Sequence, residues 1–526
     1  MTPDFDVIVV GSGPAGVSVA FPLVEAGLRI LMVDGGKQPG LRLPKADFLS
    51  ARANDPEQWK WMVGEDFHAL KKRAAVSPKL RVPLHASVFE GFEARNQILG
   101  NNFITAGSLA TGGLSNAWGC GVSRFSAKEL SCFPFHSSDL DASYATISKR
   151  IGISGGVDDD LSDYFGLDEY SQPPIPMDVL HSHLSQRYLN HRKKLNSQGF
   201  MLGRSRVAVL SQDIAGRQAC HLSGNCLWGC SRHAMYSSND DLPGLRKHKN
   251  FSELSGFVVD GLTRYDGHWA IEGQVIPGGR RSVTASKIVL AAGTLATTRI
   301  VLKTLNYKRP VRMQSCPTAA FLLWLPRQLG AKRLPGFGLG QLSFSLDLQN
   351  NTTAFGSTFA TTGILLSEFV RHVPLSRRYA IDLLRGLLSS CVVGNIFLPG
   401  HLTQAEVQLQ ADTSLSVVGK YSNAVVPMMD EAAKKLRNAY WRMGSILLPG
   451  SFTIGHPGSD IHYAATLPMR NSPSISETSQ RGEVSGLTGI FVVDGACLPT
   501  LPEKSHTLTI MANADRIGRL LAVMGN

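Results

Sequence analysis

A glycine-rich turn between a strand pattern and a helix pattern constrains this chain more than any other feature of its sequence. Residues 7–10 (VIVV) are a short β-branched apolar run, followed at once by residues 11–16 (GSGPAG) and an alanine- and valine-rich stretch. Such runs are typical of buried strands, and the periodic stretch after the turn predicts a helix. A second strand is predicted over residues 29–33. The order strand, glycine turn, helix, strand is typical of the beginning of an α/β domain with a parallel sheet.

The spacing within the turn predicts how it binds phosphate. In a dinucleotide-binding turn, the first glycine makes the bend, the second lets backbone amides approach a pyrophosphate, and the third packs helix against strand. Gly11, Gly13 and Gly16 stand at these positions with Ala15 between them, and Asp34 follows 18 residues after Gly16, where a ribose hydroxyl needs an acceptor. The acid disfavours NADP but leaves FAD and NAD open, and a glycine turn of another α/β domain is the alternative.

Composition excludes several classes of protein. The chain has 526 residues, of which 43% are apolar and 18% charged, so it is neither a disordered tail nor a coiled coil. The net charge of +12 is compatible with phosphates or an anionic membrane, but no run of five or six like charges points to a nucleic-acid groove.

Cysteine usage and hydropathy bear on location. Eight cysteines are too few for a disulfide framework, and residues 1–6 leave no room for a signal peptide before the first strand. The least polar stretch, residues 386–400, is shorter than the ~18 clean residues of a spanning helix. We therefore expect a cytoplasmic protein, soluble or attached to a membrane surface.

Nucleotide-domain patterns recur far along the chain. A second glycine cluster occupies residues 111–120 (TGGLSNAWGC), and strand-plus-helix patterns recur at 287–305 and 490–521. Residues 338–346 and 405–420 instead alternate as an antiparallel sheet would. The sequence thus predicts one α/β domain assembled from distant segments with another domain inserted.

The carboxyl-terminal segments carry a family resemblance. Residues 491–500 (FVVDGACLPT) with 505–512 (SHTLTIMA) resemble the closing signature of the glucose-methanol-choline (GMC) oxidoreductases, which are FAD enzymes. Residues 462–469 (HYAATLPM) resemble that family's H-x-x-G-T-x-x-M segment, with Ala465 in place of the glycine. Residues 112–115 with Trp118 are similar to the flavin-proximal loop of the pyranose-oxidase-like branch.

The resemblance implies an α/β + β fold. It predicts a Rossmann-like FAD-binding domain built from residues 1–45, 95–125, 206–310 and 455–526. An inserted antiparallel-sheet substrate domain and its connecting segments take residues 46–94, 126–205 and 311–454. Because Ala117 stands where some pyranose oxidases carry a flavin-bonded histidine, the expected FAD is non-covalent.

The implied FAD contacts come from every part of that discontinuous domain. Residues 252–256 running into Val259 resemble the strand whose backbone meets adenine. The full set of expected cofactor-binding residues is Gly11, Gly13, Ala15, Gly16, Asp34, Gly112, Gly113, Ser115, Asn116, Val259, Asp494, Gly495, Thr507 and Leu508.

Two histidines are the expected catalytic residues. Removing a hydroxyl proton suits a neutral imidazole, whose pKa lies near working pH. The resemblance places His462 in that role and His506 beside it, orienting the hydroxyl and stabilising developing oxygen charge. His456, followed by Pro457, is the rival base, but the fourth residue after it is Asp460 rather than threonine.

The expected activity is FAD-dependent oxidation of an alcohol, on a sugar or glycoside, to a carbonyl by base-assisted hydride transfer to flavin N5. The electron acceptor, whether oxygen, a quinone or a protein, stays open. The alternatives are a flavin-containing lyase without net redox and a non-catalytic flavoprotein on a membrane surface. A carotenoid-desaturase-like flavoenzyme would share the amino-terminal turn but would not explain His462 and His506.

Two further patterns have competing interpretations. The spacing of Cys220, Cys226 and Cys230 lacks the close C-x2-C pair of common metal sites, so we expect reduced structural thiols and no metal. Residues 377–390 form an amphipathic basic segment. We expect a substrate-domain helix with its apolar face inward, and peripheral membrane contact is the alternative.

Overall fold

A computed structural model of the chain describes residues 3–38, 46–71, 77–214, 216–276, 278–370 and 373–524. Residues 39–45, at the end of the first predicted segment, lie outside the described residues. The strands are β1 Phe5–Val10, β2 Ile30–Asp34, β3 Ile98–Asn101, β4 Ile153–Ser154, β5 Ser171–Gln172, β6 Phe200–Arg204, β7 Phe251–Ser255, β8 Phe257–Tyr265, β9 His268–Val275, β10 Arg280–Leu290, β11 Val311–Ser315, β12 Thr318–Trp324, β13 Leu342–Leu348, β14 Thr352–Ala360, β15 Cys391–Phe397, β16 Thr403–Leu409, β17 Leu415–Tyr421, β18 Ile446–Leu447, β19 Thr453–Ile454, β20 Tyr463–Ala464 and β21 Ile490–Val492.

The helices are α1 Pro14–Glu25, α2 Phe48–Asn54, α3 Gln58–Met62, α4 His68–Lys71, α5 Ala86–Phe89, α6 Phe92–Arg95, α7 Asp141–Ile151, α8 Ser162–Phe165, α9 Val179–Asn196, α10 Leu242–Leu245, α11 Thr294–Thr304, α12 Ser367–Val370, α13 Arg377–Leu387, α14 Val425–Arg442 and α15 Thr507–Met524. The longest helices, α9, α14 and α15, have 18 residues each and lie after the first third of the chain. Among the described residues, no helix has the length and apolarity needed to cross a bilayer.

A parallel sheet joins the two ends of the chain. β1 pairs in parallel with β2 and β10, β2 with β7, and β10 with β21. The antiparallel strands β8 and β9 extend the sheet from the amino-terminal half of β10. The carboxyl ends of parallel strands meet at one edge, where open α/β sheets bind ligands. The residues that follow β1, β2, β10 and β21 therefore converge, as the sequence predicts.

Two helices from opposite ends of the chain pack on this sheet. α1 and α15 share a core in which Val17 and Leu23 meet Ile517 and Leu521. Gly518 allows the close approach, because a Cβ there would lie 2.6 Å from Pro22 Cγ. Helix α15 therefore packs into the same structural unit as the amino-terminal strand, turn and helix.

The predicted antiparallel region is a seven-stranded sheet over the cavity. Its order is β18-β12-β15-β14-β13-β6, with β19 also paired to β12. One face packs on α9 and α14 through a core that includes Tyr188 and Tyr440. Strand β15 alternates: Val392 and Ile396 lie in that core, whereas Asn395 faces the cavity. Because alternate side chains point to opposite faces, one face of the sheet packs in the core and the other lines the cavity.

The structure differs from the expectation of one antiparallel sheet. Residues 405–420 form β16 and β17 of a separate five-stranded sheet with the order β20-β11-β16-β17-β3. β3 joins it in parallel. Alternation identifies a strand with one buried face, but it does not say which sheet receives the strand.

Candidate active site

A cavity of about 550 Å³ extends from the glycine turn after β1 to the inner face of the seven-stranded sheet. Most of the residues predicted from the sequence line it. They are Gly11, Gly13, Ala15, Asp34, Gly113, Ser115, Val259, His462, Asp494, Gly495, His506 and Thr507. Gly16, Gly112, Asn116 and Leu508 are not part of the wall.

The three glycines of the first turn have different surroundings. Gly11 has a φ of +108°, and a Cβ there would lie 2.3 Å from the carbonyl oxygen of Ala291. A Cβ on Gly16 would lie 1.8 Å from the carbonyl oxygen of Gly11. At Gly13 a Cβ would meet no atom within 4 Å. Gly11 and Gly16 therefore pack the turn, and Gly13 leaves space for a bound group.

Asp34 is fixed at the end of β2 by several donors. Its carboxylate accepts hydrogen bonds from the Ser12 hydroxyl, from Ser255 Oγ at 3.1 Å and from the Gly36 amide at 2.8 Å. Ser12 Oγ also accepts from the Gly112 amide at 2.9 Å. Sequence reasoning missed Ser12 because it occupies a variable position of the motif, yet it links the two glycine loops.

Residues outside the cavity wall hold the second glycine loop, residues 111–120, in its conformation. Gly112 has a φ of +86°, and a Cβ there would lie 2.6 Å from Asn239 Nδ2. Asn116 Nδ2 donates to the carbonyl oxygens of Thr111 and Gly113 at 2.8 and 3.0 Å. Gly112 and Asn116 thus hold the loop, and Gly113 and Ser115 face the cavity.

Asp494 connects the loops that follow β10 and β21. Its carboxylate accepts from the Gly293 amide at 2.9 Å, the Thr297 hydroxyl at 2.5 Å and the Ala496 amide at 3.0 Å. Burial raises its pKa to about 6. Asp494 therefore caps a turn and also lines the cavity. Thr507 begins α15 at the wall, whereas Leu508 is buried in the core.

His462 and His506 lie side by side in the cavity. Their ring centroids are 4.7 Å apart and their planes meet at 80°. His462 immediately precedes β20, which pairs with β11, and His506 immediately precedes α15. The predicted rival, His456, is exposed and outside the cavity wall.

Both imidazoles are poised in the neutral form. Burial lowers the pKa of His462 to about 4. Burial and the neighbouring His462 hold the pKa of His506 well below its usual value. The Nδ1 atoms of both rings are buried without a hydrogen-bond partner among the described residues. Two neutral imidazoles at pH 7 are competent to accept or share a substrate proton.

Asp460 lies behind His462, and sequence reasoning missed it. A carboxylate oxygen of Asp460 is 3.6 Å from His462 Nδ1. The Ser315 hydroxyl and the Cys316 amide each donate to this carboxylate at 2.8 Å. Burial raises its pKa to about 7. Its position two residues before His462 was the one available signal, and only pairing of β20 with β11 buries it there.

One group of possible metal ligands occurs among the described residues. The donor atoms of Cys316, Asp460 and His462 all lie within 4.8 Å of one another. Burial and the Asp460 charge raise the pKa of Cys316 well above its usual value, so it stays a thiol.

The cysteines of the predicted thiol segment are buried to different degrees. All eight cysteines of the chain are free, and Cys226 is buried, while Cys220 and Cys230 are partly buried. Burial, with the neighbouring thiols Cys220, Cys230 and Cys120, raises the pKa of Cys226 to about 12. Cys120 thus lies near the three cysteines of the segment, a proximity that sequence spacing did not indicate.

Known proteins resemble both ends of the chain and its overall fold. A family model described as pyridine nucleotide-disulphide oxidoreductase matches residues 5–114, and one described as GMC oxidoreductase matches residues 428–514. The structure is similar to the crystal structure of pyridoxine 4-oxidase from Mesorbium loti, with a TM-score of 0.60 and 14% identity. The match covers 98% of this chain and 99% of that one. Comparison with curated protein sequences gave no match.

Proposed function

The chain belongs to the GMC oxidoreductase family, and from this premise we propose that it oxidises an alcohol group, on a sugar or glycoside, to a carbonyl. It is an FAD-dependent oxidoreductase. The observation that carries the proposal is the pair of neutral imidazoles, His462 and His506, in the cavity that begins at the glycine turn. We retain the predicted division of the chain into FAD-binding and substrate segments as part of the proposal.

The residues present fit FAD. Gly13 leaves open space at the start of α1, and the amides of a helix amino terminus attract a pyrophosphate. Asp34 offers a fixed carboxylate to a ribose hydroxyl. Ala117, in the cavity wall, has no atom that can bond a flavin, which supports non-covalent binding. When bound, FAD supplies the acceptor for the hydrogen on the alcohol carbon.

His462 serves as the base in the proposed mechanism. Its Nδ1 is buried against Asp460, so Nε2 is the nitrogen available to the hydroxyl. With a pKa of about 4, the ring is neutral at pH 7 and accepts the hydroxyl proton at Nε2. His506 lies close enough to hold the same hydroxyl oxygen and to stabilise its developing charge.

The sheet above the imidazoles supports a hydroxyl-rich substrate. Ser343, Ser357 and Asn395 line the cavity with short polar side chains. Ser343 and Ser357 bond each other at 2.9 Å, and Asn395 Oδ1 accepts from the Ser357 amide at 2.9 Å. A few placed polar groups in an otherwise apolar pocket fix the orientation of a small ligand. Sugar hydroxyls match such groups.

An aromatic alcohol is the second candidate substrate. The ring centroid of Phe397 is 5.3 Å from that of His462, and Phe355 also lines the cavity. Aromatic rings prefer neighbours at such distances. The similar oxidase is named for pyridoxine, which is consistent with an aromatic substrate at this position.

Anaerobic titration of the purified yellow protein tests the proposal. The panel contains sugars, polyols, glycosides and pyridoxine, and the signal is loss of the oxidised flavin absorbance. We expect at least one sugar or glycoside to reduce the flavin. Reduction by pyridoxine alone would favour the aromatic candidate. Cleavage of a cyanohydrin without bleaching would identify a lyase, and no response to any compound would contradict the proposal.

A further inference from the structure

Helix α13 buries one face and leaves an apolar stripe exposed beside it. Ala380 and Leu384 are buried, and Leu384 packs in a cluster with Leu388 and Cys391. The inward apolar face expected from the sequence is therefore present. Beside this buried face, about 100° around the helix, Tyr379 is 67% exposed and Leu383 is 48% exposed. Their spacing of four residues places them on one stripe of the helix.

Exposed apolar residues also occur at both ends of the helix. Leu375, four residues before Tyr379, is 51% exposed. The loop of residues 326–336 adjoins the end of α13, because the Leu325 amide donates to the Ser390 carbonyl at 2.9 Å. That loop exposes Leu329 and Leu334 to 60% and 56%. We call Leu329, Leu334, Leu375, Tyr379 and Leu383 the α13 surface.

A single exposed apolar residue needs no explanation, but a group of five on adjoining segments does. Basic side chains accompany the group. They are Arg327, Lys332, Arg377, Arg378 and Arg385, all exposed, and within the described ranges none of them forms an ion pair. Asp382 is the one acidic residue of α13. Apolar residues flanked by unpaired cations are the pattern of helices that lie in the interface of an anionic membrane.

Two segments connect the α13 surface to the wall of the cavity. Gly363 and Ile364 line the cavity wall, and Leu366, two residues later, packs on the buried face of α13. On the other side, Gly338 and Leu339 follow the loop of residues 326–336 and also line the wall. Docking through this surface would bring the cavity close to the bilayer.

We propose that the α13 surface binds the headgroup region of an anionic lipid bilayer. Tyr379 and Leu383 enter the boundary of the acyl chains, and Arg377, Arg378 and Arg385 contact lipid phosphates. The exposed basic side chains are complementary to an anionic bilayer and favour it over an uncharged one. The inference rests on exposure and charge and does not depend on the proposed alcohol chemistry.

Vesicle sedimentation of the FAD-bound protein tests the proposal. We expect binding to phosphatidylcholine vesicles that contain phosphatidylglycerol at low salt, and weaker binding at high salt or to phosphatidylcholine alone. The double variant Tyr379→Ser, Leu383→Ser should bind at least about tenfold more weakly, because each side chain loses apolar burial. The matched control is Leu189→Ser, Tyr265→Ser, which changes residues exposed to 55% and 57% on α9 and β8.

The outcomes that would overturn the proposal are distinct. One is absence of binding to the anionic vesicles, and another is equal loss of binding in the control and the test variant. A measurement of molecular mass in solution tests whether a second copy of this chain covers the surface instead. If the wild-type protein is a dimer that the test variant dissociates, the surface is an interface between copies, and the membrane proposal is wrong.

Discussion

His462 Nδ1 lies 3.6 Å from a carboxylate oxygen of Asp460, and the Asp460 side chain is fully buried. Burial moves both groups toward neutrality: the pKa of Asp460 rises to about 7, and that of His462 falls to about 4. When Asp460 loses its proton, its charge stabilises the imidazolium that forms as His462 accepts a proton. We therefore infer that Asp460 is a positioning residue that tunes the base.

The first prediction concerns His462 itself. His462→Ala should retain bound yellow FAD, because the glycine loops and Asp34 provide the proposed contacts to the cofactor. Loss of a general base lowers the rate by about 10² to 10⁴. Stopped-flow measurement of anaerobic flavin reduction by the identified substrate checks this. His456→Ala is the control, and its flavin should be reduced by substrate at the wild-type rate. Unimpaired reduction in His462→Ala would refute the assigned role.

The second prediction is a pH effect on the reaction. As pH rises through about 7, Asp460 ionises and makes His462 a stronger base, so the wild-type rate of flavin reduction should rise across this range. Asp460→Asn cannot ionise, and its rate should be flat between pH 6 and 8. A purely structural role would lower the rate equally at every pH, which would count against tuning.

The third prediction follows from the same pKa and concerns stability. The pKa of Asp460 is higher in the folded protein than its ordinary value of 3.8, so its contribution stabilises the fold at low pH and is lost as pH rises through about 7. Between pH 5 and 7.5 the loss amounts to about 2–3 kcal/mol. Thermal melts should therefore show a steeper fall of Tm for the wild type than for Asp460→Asn. Parallel curves of Tm against pH for the two proteins would contradict the raised pKa of Asp460.

The fourth prediction separates two glycines of the first turn. Gly16→Ala places a Cβ 1.8 Å from the Gly11 carbonyl oxygen, so this variant should lose much of its folded yield. Gly13→Ala meets no protein atom within 4 Å, so it should fold normally. Its methyl group occupies the space for the pyrophosphate, and FAD should bind at least about tenfold more weakly. Circular dichroism and fluorescence titration of the apoprotein with FAD measure the two effects. Wild-type FAD affinity in Gly13→Ala would contradict the placement of the pyrophosphate.

The fifth prediction concerns the buried Arg206 in the cavity wall. Its guanidinium contacts Asp159 at 2.8 Å and Asp168 at 2.7 Å, and it lies over the ring of Phe165. Arg206→Ala leaves two carboxylates without their cation, which costs about 3–5 kcal/mol for a buried pair. The control Arg246→Ala removes an exposed pair with Glu253 and should cost about 0–1 kcal/mol. Denaturant unfolding measures the free energy of unfolding of both variants. Similar losses in Arg206→Ala and Arg246→Ala would contradict the prediction.

The parts of the site that could be predicted lie in short motifs with their own geometry. The turn at Gly11–Gly16 was predictable because backbone sterics demand glycine there. His462 and His506 were predictable from a resemblance, and the structure brings them together at 4.7 Å between ring centroids. The family match to residues 428–514 covers both segments.

The parts that sequence reasoning missed depend on distant pairings. Asp460 is close to His462 in the sequence, but its buried partners Ser315 and Cys316 come from almost 150 residues earlier through the pairing of β20 with β11, which leaves no local pattern. Ser12 occupies a position that any small residue satisfies within the motif. The split between two sheets was missed because alternation reports one buried face of a strand and carries no information about its partner. Local sequence patterns thus predict strands and helices, whereas the pairing of strands is determined by the assembled fold.

The parallel sheet has a consequence for biosynthesis. Strand β10 can pair with β1 and β9 as soon as residues 280–290 have been synthesised, but residues 288–290 of its second edge wait for residues 490–492. During the translation of some 200 residues, that edge exposes unpaired backbone groups that invite aggregation. The parallel sheet is thus complete only after β21 has been synthesised, some 200 residues after β10.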